Sequence, residues 1–209
     1  MTSKRSMIRR SAALAAAGAA ALVLAACGGN GGNSAGHDGH SSASPSASAS
    51  AAQGQHNAVD IAFAKGMIPH HRQAVKMADL APSRAQSAEV KTLAGQIKKA
   101  QDPEIKTLSG WLTSWGEEVP AEGAMDHSMH GDSGGMMTME DMDKLEKSSG
   151  KAFDTAFLEM MIKHHEGAVT MAKTEQRDGS YQPATGMADT IISSQTAEIT
   201  QMNKLLGKN

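Results

Sequence analysis

"FAKGMIPHHRQAVKMA", Phe63 to Ala78, returns later in the chain as "FLEMMIKHHEGAVTMA", Phe157 to Ala172. In the first copy Phe63, Met67, His70, Ala74 and Met77 are spaced four, three, four and three. That is a heptad-type seam, so the five side chains form one stripe of an α-helix turned towards a partner helix. The second copy repeats the stripe as Phe157, Met161, His164, Ala168 and Met171. His70 and His164 therefore sit mid-helix on a buried seam. Their neighbours His71 and His165 are rotated about 100° towards the flank, because successive helical side chains diverge by that angle.

The copying extends well beyond the motif at a constant offset of 94 residues. Asp60 recurs as Asp154, and Ile97, Gln101, Glu104 and Ile105 recur as Ile191, Gln195, Glu198 and Ile199. Each repeat is thus a pair of helices, and two such pairs make the domain. Apolar residues recur at three and four, only 3 % of the chain is aromatic, and no alternating β-branched run is present, so the fold is all-α. The pattern predicts helices near 57–81, 84–115, 151–177 and 184–206, with Pro82, Gly179 and Pro183 punctuating the hairpins. Pro103 lies where the second repeat has Ala197 and predicts a kink, or a break at Asp102. A connection of more than thirty residues, Gly116 to Gly150, joins the repeats and carries one short helix at about 139–148 that Thr138 could cap. A crossover of that length is compatible with a simple up-down bundle or with a ferritin-like one.

The chain begins differently. Lys4, Arg5, Arg9 and Arg10 precede an apolar run, Ala12 to Ala26, that is short for a membrane span, and the run ends in "LAAC" at Cys27. This resembles the lipobox of bacterial lipoproteins, which implies cleavage after residue 26 and a lipid on Cys27. Residues 27–56 are rich in Gly, Ser and Ala, the composition of a flexible tether, with "HDGH" (His37 to His40) inside it. The expected organisation is a signal peptide over 1–26, a tether over 27–56 and a bundle over 57–209. Within the bundle the first repeat covers 57–116, the connection 117–150 and the second repeat 151–209.

Without residues 1–26 the chain keeps 16 Lys+Arg against 22 Asp+Glu, a net charge of −6. That balance argues against a nucleic-acid partner and suits one that attracts cations. Cys27 is the single cysteine, so lipidation leaves no thiolate for a metal and any soft ligand must be methionine. Met67 and His70, like Met161 and His164, are three residues apart, within reach of one ion, and Met77 and Met171 lie a heptad further on. Thioether sulfur selects Cu(I) over hard cations, and imidazole adds affinity for Cu(II). The connection supplies more of the same: Met125 to Met142 holds six methionines and two histidines, including Met125, His127, Met129 and His130, where no core requires them. From Glu117 to Lys147 nine acidic residues face two basic ones.

Other readings compete. Methionines at helical spacing commonly fill core gaps, and buried histidines commonly bond a carboxylate such as Asp60 or Glu104. A ferritin-like di-metal oxidase would use Asp60, Glu104, Asp154 and Glu198 with the histidines. Such bundles carry Glu-x-x-His on two helices, whereas this chain has Met67 and Met161 three residues before its seam histidines. A metal-free surface interaction module is the third reading. No Gly-x-Ser-x-Gly elbow is present, and no strand precedes a Gly-rich phosphate loop.

The repeat, the paired histidines and the extracytoplasmic address together resemble the family known as domain of unknown function 305, over about residues 57–207. The resemblance implies a four-helix, ferritin-like bundle outside the cytoplasm that binds copper and contributes to copper homeostasis or resistance; the expected role is binding without turnover. It implicates Met67, His70, His71, Met77, Met161, His164, His165 and Met171. The expected partners are the membrane, through the lipid, and a protein that donates or accepts the metal; the number of subunits is left open.

Overall fold

The computed structural model describes residues 54–122 and 134–208. The signal segment, Cys27, the tether with His37 and His40, and the connection residues Met125, His127, Met129 and His130 lie outside the described residues.

Five helices follow in order: α1 (Ala58–Arg84), α2 (Ala88–Ser114), α3 (Met139–Lys147), α4 (Gly150–Asp178) and α5 (Gln182–Leu205). Local chemistry sets their starts. The Asn57 side chain accepts the amides of Val59 and Asp60 while Asp60 accepts the Asn57 amide, a reciprocal capping box. Ser87 caps α2, and Thr138 pairs with Asp141 at the start of α3 as its sequence position suggests. Three expectations need correction. α2 runs unbroken through Pro103, so no break occurs at Asp102, and it begins at Ala88 rather than near 84 because Ser87 provides the cap. Pro82 falls inside the last turn of α1 rather than in the hairpin turn. A proline near a helix end is tolerated where the surrounding packing holds the turn.

α1 packs on α2 and α4 on α5, and the two hairpins meet through α1 against α4. The directions of α1 and α4 follow from two reciprocal ties. Asp60, in the first turn of α1, accepts the backbone amides of Ser180 and Tyr181 beyond the end of α4 at 3.1 and 3.0 Å. Its repeat counterpart Asp154, in the first turns of α4, accepts the amides of Gln86 and Ser87 beyond the end of α1 at 3.0 and 2.9 Å. α1 and α4 are therefore antiparallel, which requires the connection to cross the length of the bundle. That selects the ferritin-like topology over the simple up-down one.

The core divides in two. One half gathers Ala74, Met77, Leu93, Ile97, Phe157 and Met161; the other gathers Phe63, Met67, Leu108, Ala168, Ala172 and Ile191. Each residue in one half has its repeat counterpart in the other where both are buried, as with Phe63 and Phe157, Met67 and Met161, Ala74 and Ala168, Ile97 and Ile191. An approximate two-fold relation thus runs through the middle of the bundle. What separates the halves is polar.

Candidate metal centre

Antiparallel seams must cross somewhere, and here they cross at the histidines. The rings of His70 and His164 lie against each other, tilted, with centroids 3.7 Å apart and an interplanar angle of 41°. His71, His164 and His165 are fully buried and His70 is 2 % exposed. Four imidazoles therefore form a layer inside the bundle between two apolar halves.

The flank positions of His71 and His165 turn out to face the second helix of each hairpin rather than solvent. His71 donates its Nε2–H to Glu104 at 2.6 Å, and His165 donates its own to Glu198 at 2.6 Å. The two bonds are identical because the residues are related by the repeat. Each fixes a tautomer: with hydrogen on Nε2, Nδ1 carries the lone pair. His70 likewise points Nε2 at the Gly134 carbonyl, at 3.0 Å. The Nδ1 atoms of all four histidines, and both ring nitrogens of His164, are buried with no hydrogen-bond partner. Gln101 and Gln195, one turn before the two glutamates, are buried with unpartnered Oε1 atoms as well. Buried polar atoms are nearly always satisfied, so a concentration of free lone pairs in one layer calls for an occupant.

Burial first, and then the closeness of His71 and His165, push the His70 pKa down to about 3, against the weaker raising effect of the Gly134 carbonyl. Burial and the other three histidines hold His164 well below its ordinary value. At neutral pH both rings are uncharged, the form that binds metal. A carboxylate on the far nitrogen, as at His71 and His165, is the arrangement that orients metal-ligating histidines elsewhere. Among the described residues no three His, Cys, Asp or Glu side chains converge on a single point as they stand. The layer offers donors of the right type with the His70 and His164 rings in tilted contact, and taking up an ion between them requires the rings to turn.

The four methionines named from the sequence lie in the two apolar halves of the core. Met67, Met77 and Met161 are fully buried, and Met171, partly buried, lies 3.4 Å from the position a Cβ on Gly66 would take. Their grouping crosses the repeats: Met77 joins Met161 on one side of the histidine layer, and Met171 joins Met67 on the other. The carboxylates proposed for a di-metal oxidase do not assemble. Asp60 and Asp154 are engaged at the two hairpin turns, while Glu104 and Glu198 are bound to histidine.

Sequence reasoning missed the strap over the layer. Gly134 to Met137 crosses it, with the Gly134 carbonyl on His70 and Met137 held by two hydrogen bonds to the buried Gln73 side chain, at 2.9 and 2.7 Å. Gly135, at φ 81°, presses on α4, where a Cβ on Gly167 would overlap the Gly134 carbonyl. Gln73 and Gly167 are repeat counterparts. Their difference inside an otherwise matched motif is the signal that one helix holds the strap and the other makes room for it.

Glu175, whose counterpart is Ala81, was also missed. It is fully buried, and burial together with the hydrogen bond and charge of Asp60 pushes its pKa up to about 8. Burial works to raise Asp60 too, but hydrogen bonds from Asn57, Glu175, Tyr181 and Ser180 outweigh it and hold Asp60 below the ordinary carboxylate range. A protonated Glu175 thus supports an ionised Asp60.

Comparison with known proteins agrees with this fold. The family model for the domain of unknown function DUF305 matches residues 60–206. A putative secreted DUF305 protein from Streptomyces coelicolor is 31 % identical with a TM-score of 0.64, the match covering 71 % of this chain and 92 % of that one. CopM in its Cu(II)-bound form is 36 % identical with a TM-score of 0.61, over 70 % of this chain and 94 % of CopM. Its Cu(I)-bound form gives 35 % identity and 0.58 over the same shares. No match was found among proteins with curated descriptions.

Proposed function

Starting from the fact that the chain belongs to the DUF305 family, we propose that it binds copper as cargo at the buried histidine layer, holding Cu(I) in preference to Cu(II) and releasing it without turnover. The observation that carries this reading is the set of unpartnered Nδ1 atoms on His70, His71, His164 and His165, two of them backed by glutamates. His70 and His164 would supply the first nitrogens, with His71 and His165 added as the rings turn. Imidazole suits copper in either oxidation state, and the thioethers of Met67, Met77, Met161 and Met171 beside the layer favour the soft monovalent ion. The Cu(I)- and Cu(II)-bound forms of CopM support the choice of metal.

The protein acts outside the cytoplasm, tethered by lipid on Cys27, and exchanges copper with a donor or acceptor protein; it contributes to copper homeostasis or resistance. The description of the Streptomyces coelicolor relative as a putative secreted protein supports the location. No helix among the described residues is long and apolar enough to cross a membrane. The connection residues Met125, His127, Met129 and His130 belong to the same proposal as accessory ligands.

Anaerobic titration of Cu(I) against a chromophoric chelator tests the assignment. The wild-type chain should compete for copper, the variant H70A/H164A should lose tight binding, and H37A/H40A should retain it. Equal competition by H70A/H164A and wild type would sink the proposal.

A further inference from the structure

The outer face of the strap carries a second set of sulfur atoms that the histidine layer does not use. Met136, Met139 and Met142 line one groove of about 260 Å³. Met139 and Met142 are three apart on α3, so their side chains leave the helix on one face. Met136 approaches from the strap just before the Thr138 cap. Met142 is 6 % exposed, whereas Met139 is 73 % exposed, one of two large apolar side chains left in solvent among the described residues. Core packing explains Met142 and gives no reason for Met139. Leucine or isoleucine would fill an apolar groove with less exposure to oxidation; three thioethers share a different property, softness.

The wall of the groove is the outer side of the histidine helix. Pro69, Arg72, Gln73 and Lys76 of α1 line it, interleaved in sequence with His70 and His71, which point inwards. Gln73 also holds Met137, and the strap residue Gly134 bonds His70. Groove and buried layer are thus the two sides of one short stretch of α1, with the strap between them. Arg72 and Lys76 contribute two positive charges and Asp143 and Glu146 two negative ones, so the lining is balanced in charge. The Arg72 guanidinium is committed to the carbonyls of Pro120 and Ala121 at 2.6 and 3.1 Å.

We propose that Met136, Met139 and Met142 form a separate surface site for a soft monovalent ion, Cu(I) or Ag(I), bound by thioether sulfur alone. An all-sulfur site of this kind does not titrate, so it keeps its ligands in acid, where imidazole becomes protonated.

The probe is Ag(I), added to the full chain labelled with 13C in its methionine methyl groups. The resonances of Met136, Met139 and Met142 should shift together and saturate at one equivalent, in wild type and equally in H70A/H164A. The variant M136L/M139L/M142L, checked for an unchanged unfolding transition, should bind one equivalent fewer. Unmoved methyl resonances, or undiminished stoichiometry in the leucine variant, would overturn the site. Because H70A/H164A leaves the groove intact, failure here is distinguishable from failure of the histidine assignment: the first alters only the sulfur signals, the second only the titration of the histidine variant.

Discussion

Replacing Gly167 by Ala tests the strap. The added methyl meets the Gly134 carbonyl, a backbone atom that cannot rotate aside, so the strap must lift from α4. Lifting forfeits the His70–Gly134 hydrogen bond and the two bonds between Gln73 and Met137, each worth about 1 kcal/mol net. It also exposes Met137, now 5 % exposed, at a cost of about 2 kcal/mol. Against these losses, alanine in a helix interior is favoured over glycine by about 1 kcal/mol. The balance is a destabilisation of roughly 4 kcal/mol if the strap detaches completely, which for a domain of this size lowers the melting temperature by on the order of 8–16 °C. With the cover gone, Cu(I) should also reach the histidines faster, read by stopped-flow mixing with a chromophoric Cu(I) complex. A G167A protein that melts higher than wild type and takes up copper at the same rate would show that the strap neither packs on α4 nor guards the layer.

Glu104→Gln and Glu198→Gln should each weaken Cu(I) binding by roughly 10- to 100-fold while leaving helicity intact, since each removes the carboxylate that orients a histidine; competition titration with circular dichroism checks both. The folded pKa of Glu175, about 8, lies above its ordinary 4.5, so its protonated form is favoured by the fold. Its contribution is complete below about pH 4.5 and is lost as pH rises through about 8, a loss on the order of 3 kcal/mol between pH 5 and pH 9. Urea unfolding across that range should show the decline, and E175Q should flatten it. Asp154→Ala should destabilise by about 2 kcal/mol in urea unfolding, because the amides of Gln86 and Ser87 lose their acceptor.

Much of the site is legible in the motif itself. The four-three spacing of Phe63, Met67, His70, Ala74 and Met77 places those side chains inside without reference to anything distant, because helical periodicity is a local property. The repeat then doubles the statement and fixes the two helix pairs. The meeting of His70 with His164 is another matter: it depends on α1 and α4 running antiparallel, which in turn depends on Asp60 and Asp154 reaching the opposite hairpin turns. Those carboxylates look like ligands in sequence because they recur with the motif, and only tertiary contact shows that they recur as ties. Glu104 and Glu198 recur in the same way and do reach the histidines. Spacing alone does not separate the two pairs. Gln73 and Gly167 carried a usable signal, a mismatch in an otherwise matching stretch, whose meaning appears once Gly134 is seen between them. Pro103 does not break α2: its local preference against helix is overridden where α2 packs on α1.

The most direct test of the central claim follows each histidine separately by 15N resonance of its ring nitrogens, in the full chain under anaerobic conditions, as diamagnetic Cu(I) is added. Before metal, His70 should show protonated Nε2 and unprotonated Nδ1. With metal, the unprotonated nitrogens of His70 and His164 should shift first and saturate with the titration, while His37 and His40 stay in place. Ring nitrogens of the buried histidines that remain unchanged at saturating Cu(I) would contradict the account.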